Sequence, residues 1–201
     1  MRNLALGGLA GPVLFALAAL ISASLQSDYS HVSNFISELG ATSMPNAAIM
    51  NYAGFVPGGL LLAGFGVSIG SLVPRAPLSK FASLLIVVFG AGVVLAGLFS
   101  CDLGCPQAGG SLENRIHEGI APPTFLSAIL GCGLLGLRFR RLPEWNSLWV
   151  YSVVSSGLAL FFLAALGSSL ETRALTGLWQ RLMLATLYCW CAARRGPSRT
   201  A

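Results

Sequence analysis

The chain has 201 residues, of which 55% are hydrophobic and 9% charged, with a formal net charge of +5. Soluble domains carry about 25% charged residues, so a water-soluble globule would lack the polar surface to cover this much apolar side chain, and a membrane protein is expected. The positive charge does not point to nucleic acid, because the basic residues fall in short clusters between apolar runs with no interleaved aromatics.

A membrane-spanning helix needs about 20 apolar residues. The first such run is Leu4 to Leu25. Ser22-Ala23-Ser24 has the look of a signal cleavage site, but the apolar run exceeds the ~7–15 residues usual for a signal, so the segment is read as a retained span. After it comes "SDYSHVSNFISELG", Ser27 to Gly40. Val32, Phe35, Ile36 and Leu39 fall at helical spacing, with His31, Asn34 and Glu38 on the other side. This predicts a short amphipathic helix, capped by Ser30 and ended by Gly40. It would lie at the membrane surface with its polar face over the helix ends. The alternative is a solvated loop helix with His31 in water.

The second run is Ala47 to Leu72, where Pro57-Gly58-Gly59 predicts a kink. The third is Leu78 to Phe99. Then comes "FSCDLGCPQAGGSLENRIHEG". Cys101 and Cys105 flank a Gly-containing turn, and in an oxidising compartment the close pair favours a disulfide. Metal ligation by the pair is the weaker reading, since structural zinc sites use more Cys or His ligands. A helix starting near Ser111 would aim His117 and Glu118 over the bundle mouth. The fourth span, Gly119 to Leu137, opens with Pro122 and Pro123, which suit a first helical turn and would break an interior one. The fifth is Leu148 to Leu166, and the sixth Gly177 to Ala193. Arg181 lies about one turn into the sixth. It must snorkel or find an acid, with Glu38, Asp102, Glu118 and Glu171 as candidates. Trp179 fits an interfacial belt. Cys132, Cys189 and Cys191 read as small packing residues. Gly66 and Gly70, Gly92 and Ala96, and Cys132 and Gly136 are pairs at helical spacing that let helix backbones approach in lipid.

With the N-terminal side taken as inside, Arg2, Arg75, Lys80, Arg138, Arg140, Arg141, Arg194, Arg195 and Arg199 fall inside, against Arg115, Arg173 and Arg181 outside. The positive-inside rule therefore predicts cytoplasmic termini. The expected fold is an all-α integral membrane bundle of six transmembrane helices. Residues 1–193 form one domain, and residues 194–201 a basic, disordered cytoplasmic tail. The residues able to do chemistry gather on the outer face: Ser30, His31, Asn34, Ser37, Glu38, Asp102, His117, Glu118 and Arg181.

Three segments resemble a known family. "YSHVSNFISELGA", then "FSCDLGCP" with a downstream histidine, then "GLWQRLMLA" are similar to the signature segments of a bacterial and archaeal multi-pass membrane family called domain of unknown function 998. The resemblance runs in order over nearly the whole chain, and its first segment is the most specific. It implies a compact bundle in a prokaryotic inner membrane. It supplies no catalytic residue to carry over. It adds weight to Ser30, His31, Ser37, Glu38, Asp102, His117 and Arg181.

The function expected first is binding of a small molecule, ion or lipid head group in a polar external pocket. Transport is disfavoured, because no acid or histidine lies near the middle of a span. The alternative is a membrane-embedded metal-assisted hydrolase in which His31, Asp102 and His117 hold one metal and Glu118 or Glu38 acts as base. In a variant, a histidine activates Ser30 or Ser37. No HExxH or GxSxG spacing supports either. A b-type haem between the two histidines is a further alternative, and a structural role in an assembly is the last. The bilayer is the expected partner and nucleic acid is not; the cofactor and the oligomeric state stay unknown.

Overall fold

The computed structural model describes residues 6–193, and within them the regular structure is entirely helical. Arg2 and the basic tail of residues 194–201 lie outside the described residues. The six helices are α1 (Gly7–Ser24), α2 (Val56–Leu72), α3 (Pro77–Leu98), α4 (Leu112–Phe139), α5 (Trp149–Ser168) and α6 (Thr176–Ala192). Short pieces join them. A 3₁₀ turn covers Ile36–Gly40, a π-helical segment Ile49–Phe55 leads into α2, and a second 3₁₀ turn, Pro143–Leu148, leads into α5.

Five helical stretches are long and apolar enough to cross a membrane: Gly7–Ser24, Ile49–Leu72, Pro77–Leu98, Leu112–Phe139 and Pro143–Ser168. α6 has 17 residues, about 25 Å of helix, at the lower edge of what a ~30 Å hydrocarbon core requires. Large side chains such as Leu20, Leu60, Phe81, Leu130 and Phe161 stand exposed around the bundle. In water they would form an apolar belt far beyond what a soluble monomer shows; lipid is the solvent that suits them.

Small residues set the spacing of the helices. A Cβ placed on Gly59 of α2 would lie 2.6 Å from the Gly90 carbonyl oxygen, and one on Gly66 would lie 2.7 Å from Val87 N. Gly92 of α3 receives Thr124 of α4, and Gly136 of α4 receives Ser152 and Val153 of α5. Without a Cβ the backbones approach closely, which is the main source of packing energy where lipid removes the hydrophobic drive between helices. Cys132 and Cys191 are buried within the bundle, as small packing residues would be, but Cys189 faces outward. Trp190 Nε1 donates to Ser152 Oγ at 2.9 Å, tying α6 to α5.

Two elements differ from the sequence pattern. α4 starts at Leu112, as the expected helix start near Ser111 requires, with the Ser111 hydroxyl accepting from Asn114 N as its cap, and it runs unbroken into the span expected from Gly119. Pro122 and Pro123 are therefore interior. They carry no N–H for the carbonyls of Glu118 and Gly119, the usual i−4 acceptors, and the helix continues past them. At about 42 Å, α4 is longer than a ~30 Å bilayer core.

The amphipathic helix expected over 30–40 does not form as one helix. Phe35 is extended, with φ −61° and ψ 151°, and separates a turn from the 3₁₀ piece. The backbone there is claimed from elsewhere. Leu178 N donates to Val32 O at 2.9 Å, and Ile36 N donates to Gln180 Oε1 at 2.7 Å. Glu38 takes Phe35 N (2.9 Å) and Asn34 Nδ2 (2.7 Å). Phe35, Ile36 and Leu39 are buried as the pattern predicts, but Val32 is 46% exposed. Ser30 does cap the turn, its hydroxyl accepting from Val32 N and Ser33 N at 3.3 Å each. Pro57 stands in the first turn of α2, where the π-helical stretch hands over to it, with Val56 N donating to Asn51 O.

Candidate functional site

At one end of the bundle the loops 25–48, 99–111 and 169–175 form a roof. Arg173, which the sequence pattern does not single out, holds it together. Its Nη1 lies 3.3 Å from Glu38 Oε1 in an ion pair. Its Nη2 donates to the carbonyls of Gly104 and Cys105. Its guanidinium lies 4.5 Å from the Phe35 ring centroid. One side chain thus joins the first loop, the second loop and the α5–α6 connection. The planar fork of arginine suits this several-way contact in a way a lysine ammonium does not. Glu38 takes the Asn34 amide as well, so Asn34, Glu38 and Arg173 form one polar knot.

Arg181 solves its burial without an acid. Nη1 donates to the carbonyls of Asn34 (3.0 Å) and Gly177 (2.9 Å), and Nη2 donates to the Tyr29 hydroxyl. Among the described residues the ion pair is Arg173–Glu38, so none of Glu38, Asp102, Glu118 and Glu171 serves Arg181. Burial pushes the Tyr29 hydroxyl up to about 12, with Arg181 opposing the shift; it stays a neutral phenol. His31 is exposed on the rim, edge-on to Tyr29 at 5.3 Å. Partial desolvation, and then Arg181, hold its pKa below the ordinary value.

In the second loop Cys101 and Cys105 are joined by a disulfide, with Cα atoms 5.0 Å apart. Asn114, buried at the start of α4, organises this loop. Its Oδ1 accepts from Asp102 N at 3.0 Å, and its Nδ2 donates to the Pro106 and Gly109 carbonyls. Asp102 is engaged in capping: it accepts from Ser111 N (2.7 Å) and Ser111 Oγ (2.8 Å). Gly110, with φ +77°, leaves room for it, since a Cβ there would lie 2.6 Å from Asp102 Oδ2. The Ser111 hydrogen bonds hold the Asp102 carboxyl below the usual carboxylate range. A folded-state pKa below the unfolded one gives support that is present above the usual carboxylate range and lost as pH falls through the folded value. Protection of the amides in residues 102–111, relative to their intrinsic exchange rate at each pH, should therefore fall in wild type only below about pH 4. Asp102→Ala should show that loss of protection already at neutral pH, and equal protection in the two proteins at neutral pH would contradict the role.

Beneath the roof lies a cavity of about 350 Å³. Every helix except α2 contributes to its wall: Phe15 from α1, Val93 from α3, Phe125 from α4, Leu163 from α5 and Leu184 from α6. The roof adds Phe35, Ile36 and Ser37. The few polar groups are Gln107, His117, Glu118, Thr124, Gln180 and Tyr188. His117 is buried and its Nδ1 must be the donor in the 2.8 Å bond to the Phe99 carbonyl. Glu118 Oε2 accepts from Gln107 Nε2 at 2.8 Å. The Tyr188 hydroxyl is buried and has no hydrogen-bond partner among the described residues. A second hollow of about 320 Å³ lies toward the rim, with Gln26, Asp28, Asn34 and Glu38 on its wall.

Of the residues singled out from sequence, Ser37, His117 and Glu118 line the large cavity and Asn34 and Glu38 the rim hollow, while Ser30, His31, Asp102 and Arg181 line neither. The suggested metal set of His31, Asp102 and His117 is not gathered: among the described residues no three of His, Cys, Asp and Glu form a group able to hold a metal ion. Ser37 Oγ lies 3.4 Å from Cys105 Sγ, and Ser30 Oγ caps its turn. Sequence reasoning missed Arg173, Asn114, Gln180 and Tyr188. Only Arg173 carried a signal, as one of three cations on an otherwise acidic side.

A family model described as "Protein of unknown function (DUF998)" matches residues 9–194, and the chain belongs to that family. No curated protein and no solved structure matches it.

Proposed function

We propose that this DUF998 chain is a six-span protein of a prokaryotic inner membrane, with both termini cytoplasmic, that binds a small amphiphilic molecule in the cavity beneath its extracytoplasmic roof. The orientation rests on charge. Arg75, Lys80, Arg138, Arg140 and Arg141 stand at the end opposite the roof, and positive residues favour the cytoplasmic side. The α6 helix completes the bundle as a short sixth span.

The observation that carries the binding reading is the cavity itself. Its volume falls within the ~300–1,000 Å³ range of small-molecule sites, and its wall is apolar with a few polar groups. The partnerless Tyr188 hydroxyl adds to this, since a buried hydroxyl without a partner costs about 1–3 kcal/mol. An occupant or a water would relieve it. Binding is favoured over hydrolysis because His117 and Asp102 are each committed to structural hydrogen bonds, and His31 stands on the rim.

The test is a filled cavity. Ala96 lines the wall on α3, and Ala96→Phe should occupy much of the space. Wild type purified in mild detergent should carry a stoichiometric non-detergent amphiphile, seen by native mass spectrometry and solvent extraction. Ala96→Phe, folded by circular dichroism, should carry none. Equal recovery from both, or from neither, would sink the reading.

A further inference from the structure

If the cavity holds an amphiphile, its charge pattern selects the head group, and we infer that the head is a primary amine, held as an ammonium by Glu118. This rests on the binding reading above. Among the described residues Glu118 is the one acid on the cavity wall, and no Lys or Arg lines it. The side chain is partly buried, and among the described residues it has no ion-pair partner. Gln107 donates to Oε2 and leaves Oε1 facing no donor among the described residues. Two roof arginines are engaged elsewhere, Arg173 by Glu38, two carbonyls and Phe35, and Arg181 by two carbonyls and Tyr29; Arg115, one turn before Glu118 on α4, is exposed and does not line the cavity.

A half-buried carboxylate without a cation is electrostatically incomplete, and an incoming ammonium supplies what is missing. It brings three donors to the two carboxylate oxygens. A fatty acid or phosphate head would set its own charge against Glu118 with no cation to receive it. An alcohol supplies one donor and no positive charge to balance the carboxylate. The chain would run inward between Phe125, Leu163 and Leu184. From Gln180 near the roof to Tyr188 is eight residues of α6, roughly 12 Å, on the order of an extended decyl chain.

The experiment measures thermal unfolding of the full-length protein in detergent with decylamine, decanol or decanoate. Ligands that bind the folded state raise Tm by mass action. Decylamine should bind about tenfold or more tighter than decanol, as a charge-assisted contact implies, and decanoate should give no shift. Glu118→Gln should lose the preference for the amine and retain the decanol shift, which shows that the cavity is still formed. Ala96→Phe should lose both shifts. Decanol or decanoate matching decylamine in wild type would overturn the head-group assignment and leave the binding reading standing. A preference for amine that survives Glu118→Gln or Ala96→Phe would assign it to the micelle and overturn the inference as well. No shift with any of the three in wild type would remove the binding reading itself.

Discussion

Gly90→Ala is expected to force α2 and α3 apart and to destabilise the bundle by about 3 kcal/mol. A Cβ at Gly90 would lie 2.7 Å from Ala63 Cα and closer still to Ala63 N, and across the same seam one at Gly59 would meet Val94 N at 2.7 Å. These neighbours are backbone, so no rotamer change relieves the clash. In a soluble protein some of that cost could be recovered by new apolar burial. In lipid it cannot, because the helices gain little from leaving a solvent as apolar as themselves. The control is Gly157→Ala on α5, where an added Cβ meets nothing within 4 Å. It should be neutral or stabilising by about 0.5–1 kcal/mol. Unfolding in mixed micelles, followed by circular dichroism, measures both. Similar midpoints for the two variants would mean that the close approach of α2 and α3 does not hold the fold.

Arg173→Met has the second largest expected effect, a loss of about 2–3 kcal/mol. Methionine keeps an apolar stem against Phe35 but removes the donors to Glu38, Gly104 and Cys105. Glu38 is the more buried partner, its side chain 12% exposed against 33% for Arg173. An unpaired carboxylate there is therefore a larger penalty than the exposure of Arg173 alone suggests. Adding Glu38→Gln should recover part of the loss, so the double variant should lie about 1 kcal/mol above the sum of the two singles. The same variant should make the Cys101–Cys105 disulfide react faster with a soluble reductant, because both cysteines are now fully buried beneath the roof. Strict additivity, with unchanged reduction, would show that Arg173 decorates the roof and does not hold it.

The helices were legible from apolar run length, and five of the six expected segments match the observed ones to within a few residues. The fourth span was bounded at Gly119 because a proline pair reads locally as a start, although a helix start near Ser111 was also legible. What sets the start is the Ser111 cap, and the helix tolerates the two missing N–H groups. The first loop misled in a different way. Its apolar spacing is helical, and Phe35, Ile36 and Leu39 are buried as that spacing requires. But α6 takes the Val32 carbonyl and the Ile36 amide, and no pattern within Ser27–Gly40 encodes a partner 144 positions away. The candidate site was legible as a set of polar residues at one end of the bundle. It was not legible as a cavity, because Phe15, Leu163 and Leu184 look like any other core residues until the helices are assembled. Arg173 and Arg181 were interchangeable on the page; only geometry gives Glu38 to the first and carbonyls to the second.

The roof is fastened in part by residues made after the loops they hold. Gln180 and Leu178 fasten the first loop, Arg173 fastens the second, and all three follow α5. A nascent polypeptide that has inserted its first five helices therefore has walls but an unlatched lid. A chain truncated after Ser168 should therefore expose Cys101 and Cys105 to a soluble reductant that the full chain keeps out. The cover over the Cys101–Cys105 disulfide is thus complete only once residues 173–180 are in place.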